Sequence, residues 1–277
     1  MKTRIRKRLG QHYLTDENIC RKIVDAFDVE EEDYILEIGP GRGEITKYLT
    51  GKSQNYIAIE LDRENCLLLK EKFPGIKLLN QDILEVDFTE LSGGQKIRVI
   101  GNIPYNITSQ ILFTLFDNRS LISDALLMMQ EEVARRLTAK PGTKDYGITS
   151  IFTQVFTRPK MLFQVSRNCF YPKPRVDSMM ISFEFGNETE RKIDDIEFFR
   201  TFVRTAFGKR RKTLKNALKD IGIETKDLDS VFDFGRRAES LSVEEFIRLS
   251  NYFLAVPAAD RQGTRRTNRE ERKENHE

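Results

Sequence analysis

Short apolar runs alternate with segments of helix length over residues 34–185 of this chain, and that alternation limits the fold more than any other feature. The runs are Tyr34–Ile38, Tyr56–Glu60, Ile76–Leu79, Ile97–Gly101 and Ala125–Met129, then Met161–Val165 and Met179–Phe185. Helical spacing occurs near Glu44–Thr50, Arg63–Phe73 and Ser109–Phe116 between the first five, and over Asp16–Phe27 ahead of them. Strands this short and apolar are buried on both faces, and their alternation with helices calls for a parallel sheet covered on both sides. The last two runs come after a helical stretch, Glu131–Thr138 and Gly147–Phe156, and succeed each other closely enough for an antiparallel edge. The predicted class is α/β, with a mostly parallel seven-stranded sheet.

Beyond Gly186 the character changes. Glu188–Asp195 is a charged linker, and the residues after it read as helix. Phe199, Phe202, Val203, Ala206 and Phe207 fall at helical spacing, as do Leu214, Ala217, Leu218 and Ile221, with Gly208 breaking the two segments. Ser242 with Glu245 three residues later is a pattern that opens a helix, here reaching Leu254. From Pro257 the chain is polar and densely charged, the composition of a disordered tail. The expected organisation is a catalytic α/β domain over 1–187, a small all-α domain over 188–256 and a disordered charged tail over 257–277.

Composition removes several function classes. No run approaches the roughly 18 apolar residues of a membrane helix, and the basic N-terminus lacks the apolar core of a secretory signal. A cytoplasmic protein without membrane contact is expected. Cys20, Cys66 and Cys169 are far apart with no metal-ligand spacing and read as reduced thiols. His12 and His276 are the only histidines, so neither a histidine-based triad nor a multi-histidine zinc centre is expected. Net charge is only +3, but its distribution is uneven. Five of the first eight residues are basic, and Lys209-Arg210-Arg211-Lys212 continues with Lys215 and Lys219. Such clusters are either solvated faces or phosphate contacts.

The candidate site lies where successive strands end. Glu37-Ile38-Gly39-Pro40-Gly41-Arg42-Gly43 comes after the first run, with glycines that permit a tight turn and a close ligand. Its spacing is G-x-G-x-G, and Pro40 removes a backbone donor that a pyrophosphate would use, which points to a nucleoside cofactor without phosphates. Glu60 ends the second run, where a carboxylate can accept from both ribose hydroxyls. Asp82 lies just after the third and can accept from an adenine amine. Each acid alone is more often a helix N-cap or surface residue. Together with Gly39, Gly41 and Asn102 they converge on one crevice.

Asn102-Ile103-Pro104-Tyr105 closes the fourth run. Taken alone it ends a strand and starts a turn. At that strand end it also suits a flat base: the Asn102 amide oxygen and a carbonyl of Ile103-Pro104 can both accept from an adenine amine, and Tyr105 can stack on the ring. Positioning and electrostatics would then carry the reaction without a strong base.

Taken together these segments resemble a class I, Rossmann-like S-adenosylmethionine-dependent methyltransferase, and within it the KsgA/Dim1 family of ribosomal RNA adenine dimethyltransferases. The resemblance covers about residues 8 to 255. Its motifs are Gln11-His12-Tyr13-Leu14, Glu37–Gly43, Asn102–Tyr105, Gln130–Leu137, Tyr146-Gly147, Phe170–Ser178 and Phe207–Leu214, the last two being similar to the bacterial branch. It implies S-adenosylmethionine as cofactor, with His12 and Leu14 closing over it. It also implies dimethylation of two adjacent adenosines in the 3′-terminal hairpin loop of 16S rRNA, within a pre-30S particle. The enzyme would be a monomer that needs no metal. Phe170 would face Tyr105 across the extruded base. Arg204, Lys209, Arg210, Arg211, Lys212 and the basic N-terminus would grip RNA phosphates. Competing readings are a 23S rRNA adenine methyltransferase and a non-catalytic RNA-binding assembly factor on the same fold.

Overall fold

A computed structural model describes residues 11–209, 211–223, 225, 228 and 232–255. The basic stretch 1–8, Arg210, His276 and the tail expected over 257–277 lie outside the described residues. The chain divides into two compact units, residues 1–138 with 156–187, and residues 139–155 with 188–277. The second unit thus takes in Ala139–Val155, which the linear reading assigns to the first domain.

In the first unit, β1 (Tyr13–Leu14) leads into α1 (Glu17–Phe27), followed by β2 (Tyr34–Ile38), α2 (Thr46–Leu49), β3 (Asn55–Ile59), α3 (Arg63–Lys72) and β4 (Lys77–Leu79). Then come α4 (Phe88–Ser92), β5 (Ile97–Asn102), α5 (Thr108–Asp117), β6 (Ile122–Gln130) and α6 (Glu131–Leu137). After α7 (Ile148–Phe156) the chain returns with β7 (Thr157–Val165), β8 (Phe170–Tyr171) and β9 (Ser178–Phe185).

The main sheet has seven strands in the order β4-β3-β2-β5-β6-β9-β7. Strands β4 to β6 are parallel, while β9 runs antiparallel to both β6 and β7. The expected antiparallel edge is therefore present, and the last strand in sequence lies inside the sheet. Leu36 of β2 pairs with Ile57 of β3 and Val99 of β5, all buried. Strand order reverses about β2, which opens a crevice at the carboxyl ends of its neighbours. A separate two-stranded ribbon, β1 with β8, pairs Tyr13 with Tyr171 and Leu14 with Phe170.

Local chemistry sets the helix ends. The Asp16 carboxylate accepts from Asn18 N at 2.9 Å and Ile19 N at 3.2 Å, capping α1. Cys20, Ile23, Val24 and Phe27 then recur at i, i+3, i+4 and i+7 and pack into the core. Burial of each larger side chain contributes about 1.5–3 kcal/mol.

The second unit is helical among its described residues, with α8 (Ile196–Gly208), α9 (Leu214–Ala217) and α10 (Val243–Ala255). Aromatic rings form its centre. Phe202 meets Phe246 at 6.4 Å and Phe253 at 6.0 Å between centroids, and Phe234 meets Phe253 at 5.9 Å. Ala139–Val155 adds Phe152, which contacts Phe199 at 6.2 Å. At the start of α10, Glu245 N donates to Ser242 Oγ at 3.2 Å and Ser242 N donates to Glu245 Oε2 at 2.8 Å, completing the predicted capping box. All three cysteines are free. Among the described residues, no helix is long and apolar enough to cross a membrane, and no group of three or more His, Cys, Asp or Glu could hold a metal ion.

Candidate active site

A cleft of about 1180 Å³, part of it open to solvent, occupies the crevice at the carboxyl ends of β2 to β5. Gly39, Gly41, Glu60, Asp82, Asn102, Pro104, Tyr105, His12 and Leu14 all line it. The structure thus brings together nine residues that sequence reading places at strand ends or in the flanking motif.

The floor is the turn after β2. Gly39, Gly41 and Gly43 take φ of +64°, +61° and +88°, the left-handed region. A Cβ at Gly43 would lie 2.5 Å from the Phe73 ring, and one at Gly41 would lie 3.0 Å from the Tyr13 ring. Side chains are excluded here by strain and by space.

Glu60 serves that turn directly. Gly41 N donates to its Oε2 at 3.0 Å and Asp62 N donates to its Oε1 at 2.8 Å. Burial pushes the Glu60 carboxyl above the usual range, and these backbone donors pull it back toward ionisation. Each oxygen keeps a further lone pair for a ligand. Asp82 likewise caps its local turn, accepting from Leu84 N at 3.0 Å, while lining the cleft. Both acids thus make local backbone hydrogen bonds and line the cleft.

Asn102 is oriented by His12, the residue just before β1. Its Nδ2 donates one N–H to the His12 carbonyl at 2.9 Å, which fixes the amide and leaves its oxygen without a protein partner among the described residues. The Pro104 carbonyl already accepts from Thr108 Oγ1 at 3.1 Å and Ile107 N at 3.3 Å. The Ile103 carbonyl is the backbone acceptor that remains. His12 Nδ1 lies 2.7 Å from the Pro172 carbonyl and must be the donor there, since a carbonyl oxygen can only accept. The His12 ring stacks on Tyr105 with centroids 5.4 Å apart and planes 29° apart. Tyr105 is anchored by a 2.7 Å hydrogen bond between its hydroxyl and Ser178 Oγ.

Phe170 departs from expectation. It is 3% exposed, packs in the core with Leu14 and is absent from the cleft wall. Alternation along β8 explains this: Phe170 turns inward and Tyr171, 60% exposed, turns outward. A two-residue strand carries no periodicity from which that facing could be read. His12, not Phe170, is the ring that meets Tyr105.

Sequence reading assigns no role to Glu37, Tyr13 or Asn65, which also line the cleft. Glu37 is 1% exposed and accepts from Thr46 Oγ1 at 2.9 Å and from the Tyr56 hydroxyl. Burial pushes its carboxyl up to about 7. The Tyr13 hydroxyl donates to Gln11 Oε1 at 2.7 Å and lies 3.4 Å from Asn65 Oδ1. A glutamate inside an otherwise apolar strand is the signal that could have singled out Glu37.

The electrostatics are one-sided. Glu37, Glu44, Glu60 and Asp82 line the cleft, and no lysine or arginine does so among the described residues. Such a wall disfavours phosphates and suits a ligand bearing positive charge.

The basic residues expected to hold RNA belong to the second unit. Lys209, Arg211 and Lys212 are exposed after α8, with Lys209 Nζ 2.7 Å from Asp220 Oδ1. Arg204 is exposed, with its guanidinium 5.9 Å from the Phe152 ring centre.

The model of the ribosomal RNA adenine dimethylase family matches residues 2–254. A protein of Chlorobium phaeobacteroides strain BS1 named ribosomal RNA small subunit methyltransferase A is 44% identical over 256 residues, covering 91% of this chain and 95% of its own. One of Geobacter metallireducens with the same name is 39% identical over 266 residues, covering 91% and 97%. Among solved structures, a dimethyladenosine transferase from Plasmodium falciparum superposes with a TM-score of 0.74 at 24% identity, over 88% of this chain and 98% of that one. The 23S rRNA methyltransferase ErmE superposes with a TM-score of 0.67 at 23% identity, over 86% and 98%. These two share the fold, a class I methyltransferase sheet, and the family match with the curated relatives marks this chain as a member of the ribosomal RNA adenine dimethylase family.

Proposed function

We propose that this enzyme dimethylates the exocyclic amines of two adjacent adenosines in the 3′-terminal hairpin loop of 16S rRNA, using S-adenosylmethionine. The observation that carries the reading is the acid-lined cleft, in which the Asn102 amide, held through its nitrogen by the His12 carbonyl, has its oxygen free to accept at the fourth strand end. The names of the curated relatives favour the small subunit as the source of the RNA. A pre-30S particle as substrate, action as a monomer, a cytoplasmic location and independence of metal belong to the same proposal.

When bound, the cofactor supplies an electrophilic methyl group on a sulfonium. The glycine turn keeps side chains out of the cleft floor, and the carboxylates of Glu44, Glu60 and Asp82 suit its cationic centre. Glu60 would hold the ribose hydroxyls, Asp82 the adenine amine, and His12 and Leu14 would close the cleft over the cofactor.

For the target base, the Asn102 amide oxygen and the Ile103 carbonyl accept the two N–H groups of the amine. An adenine amine is a weak nucleophile because its lone pair is delocalised into the ring. Two acceptors in fixed positions favour the pyramidal form, and the proton leaves readily once nitrogen carries positive charge. Tyr105 holds the ring by stacking, and Pro104 shapes the wall beside it. Phe170 supports β1 from the core.

The test is incubation with labelled cofactor and unmethylated 30S particles, 50S particles or DNA, followed by mapping of the modified base. Label at adjacent adenosines of the 16S hairpin is expected; incorporation only into 50S particles or DNA would overturn the substrate. Asn102→Ala should lower turnover on the order of a hundredfold or more while cofactor Kd changes far less. Full turnover in that variant would refute the amine clamp.

A further inference from the structure

The segment leaving β8 presents an arrangement that the reaction at Asn102 does not use. Tyr171 is 60% exposed and Val176 44%, two of the few large apolar side chains at the surface among the described residues. Between them Lys173 and Arg175 are exposed, as is Arg167 just upstream, and none of the three forms an ion pair among the described residues. The segment is nevertheless held in place at several points. Arg167 N donates to Asp177 Oδ1 at 2.9 Å, Arg167 Nη1 donates to the Arg175 carbonyl at 3.0 Å, and Glu131 N donates to the Asp177 carbonyl at 3.1 Å. The only carboxylate within 166–177 is thus turned inward, and the cations are turned out.

Its position relative to the cleft is fixed by the ribbon. Tyr171 lies directly across from Tyr13 in the antiparallel pair, so both side chains leave the same face. Tyr13 lines the cleft, and the next residue along from Tyr171, Pro172, takes the hydrogen bond from His12 that sets the ring against Tyr105. The outward aromatic therefore begins where the base-stacking wall ends. An ordered, cationic loop carrying a solvent-facing ring matches the chemistry of a single nucleic-acid strand, whose bases stack on aromatics and whose phosphates take lysine and arginine.

We infer that residues 171–176 are the platform for the RNA strand flanking the target adenosine. Tyr171 stacks on a neighbouring base, and Lys173 and Arg175 neutralise the phosphates on either side of it. This rests on the RNA substrate proposed above and adds the path of the strand out of the site. It also gives the aromatic pair of the Phe-Tyr dipeptide separate duties: Phe170 stiffens the ribbon, and Tyr171 meets the nucleic acid.

The experiment is equilibrium binding of the unmethylated 16S hairpin with its flanking single strands, over a salt series, to the wild-type chain and to Tyr171→Ala, Tyr171→Phe and Lys173→Ala/Arg175→Ala. Tyr171→Ala should bind about tenfold more weakly and Tyr171→Phe like wild type. The double variant should lower the slope of log K against log salt by about 1.4, two phosphate contacts on a single strand. Binding of S-adenosylmethionine, measured alongside, should stay unchanged in all three. Wild-type affinity in Tyr171→Ala together with an unaltered salt slope in the double variant would overturn the platform alone. Failure of the wild type to bind the hairpin would overturn the RNA reading and the platform with it. Capture of a protein by this loop at the expense of RNA would also count against it.

Discussion

At the scale of single residues, the site depends on atoms already committed to the protein. The Asn102 amide is held through its nitrogen by the His12 carbonyl, and Glu60 lines the cleft while it braces the glycine turn. Glu37 shows the other extreme, a carboxyl with no surface of its own. Its folded-state pKa of about 7 lies above the 4.5 of an ordinary glutamate, so its protonated form is the one the fold favours. That stability is fully present below about pH 4.5 and is lost as pH rises through 7, a difference worth about 3 kcal/mol. Urea unfolding of wild type and Glu37→Gln at pH 5 and pH 8 measures it. Wild type should lose stability relative to the variant as pH rises, and parallel behaviour would refute the assignment. Residues of this kind are the hardest to read from sequence. Asn102, Glu60 and Asp82 announce themselves by recurring at strand ends, whereas Glu37, Tyr13 and Asn65 matter through partners far away in the chain.

Among elements, legibility tracks length and period. The seven main strands and the longer helices are readable because β-branched runs and 3.6-residue spacing repeat often enough to outweigh noise. Their ends shift by a few residues: the fifth run extends from Ala125–Met129 to Ile122–Gln130, and the sixth begins at Thr157 instead of Met161. The β1–β8 ribbon has two residues per strand and exists only through a long-range pairing, so no local pattern encodes it. The facing of Phe170 is illegible for the same reason. Capping, by contrast, is local chemistry. Ser242→Ala should cost about 1 kcal/mol in denaturant unfolding, since Glu245 N loses its acceptor at the first turn of α10. Glu245→Ala should cost more, because Glu245 also receives the Arg236 guanidinium at 2.5 Å. Equal losses would show that the ion pair contributes nothing.

For the whole molecule, two units divide the proposed labour, with the cleft in one and an exposed basic stretch in the other. If the helical unit supplies phosphate contacts, Arg211→Glu/Lys212→Glu should weaken RNA binding across sequences and flatten its salt dependence, while cofactor affinity stays at the wild-type value. Unchanged RNA binding across a salt titration would remove that role from the helical unit. Charge reversal there and alanines at Lys173 and Arg175 touch separate units, so their effects on binding free energy should add.

The strand order carries a consequence for how the chain is made. Strand β9 fills the position between β6 and β7, yet it is the last of the three to leave the ribosome. Until residue 185 has emerged, β6 keeps an open edge of apolar residues, from Ala125 to Met129, with nothing to pair with. Ala139–Val155 emerges in the same interval, carrying Ile151 and Phe152 that are wholly buried in the finished helical unit. Neither unit can finish before part of the other has been synthesised. A nascent chain of this protein therefore passes through a window in which two incomplete cores are exposed together, and that window, more than the finished fold, is where chaperones would have to act.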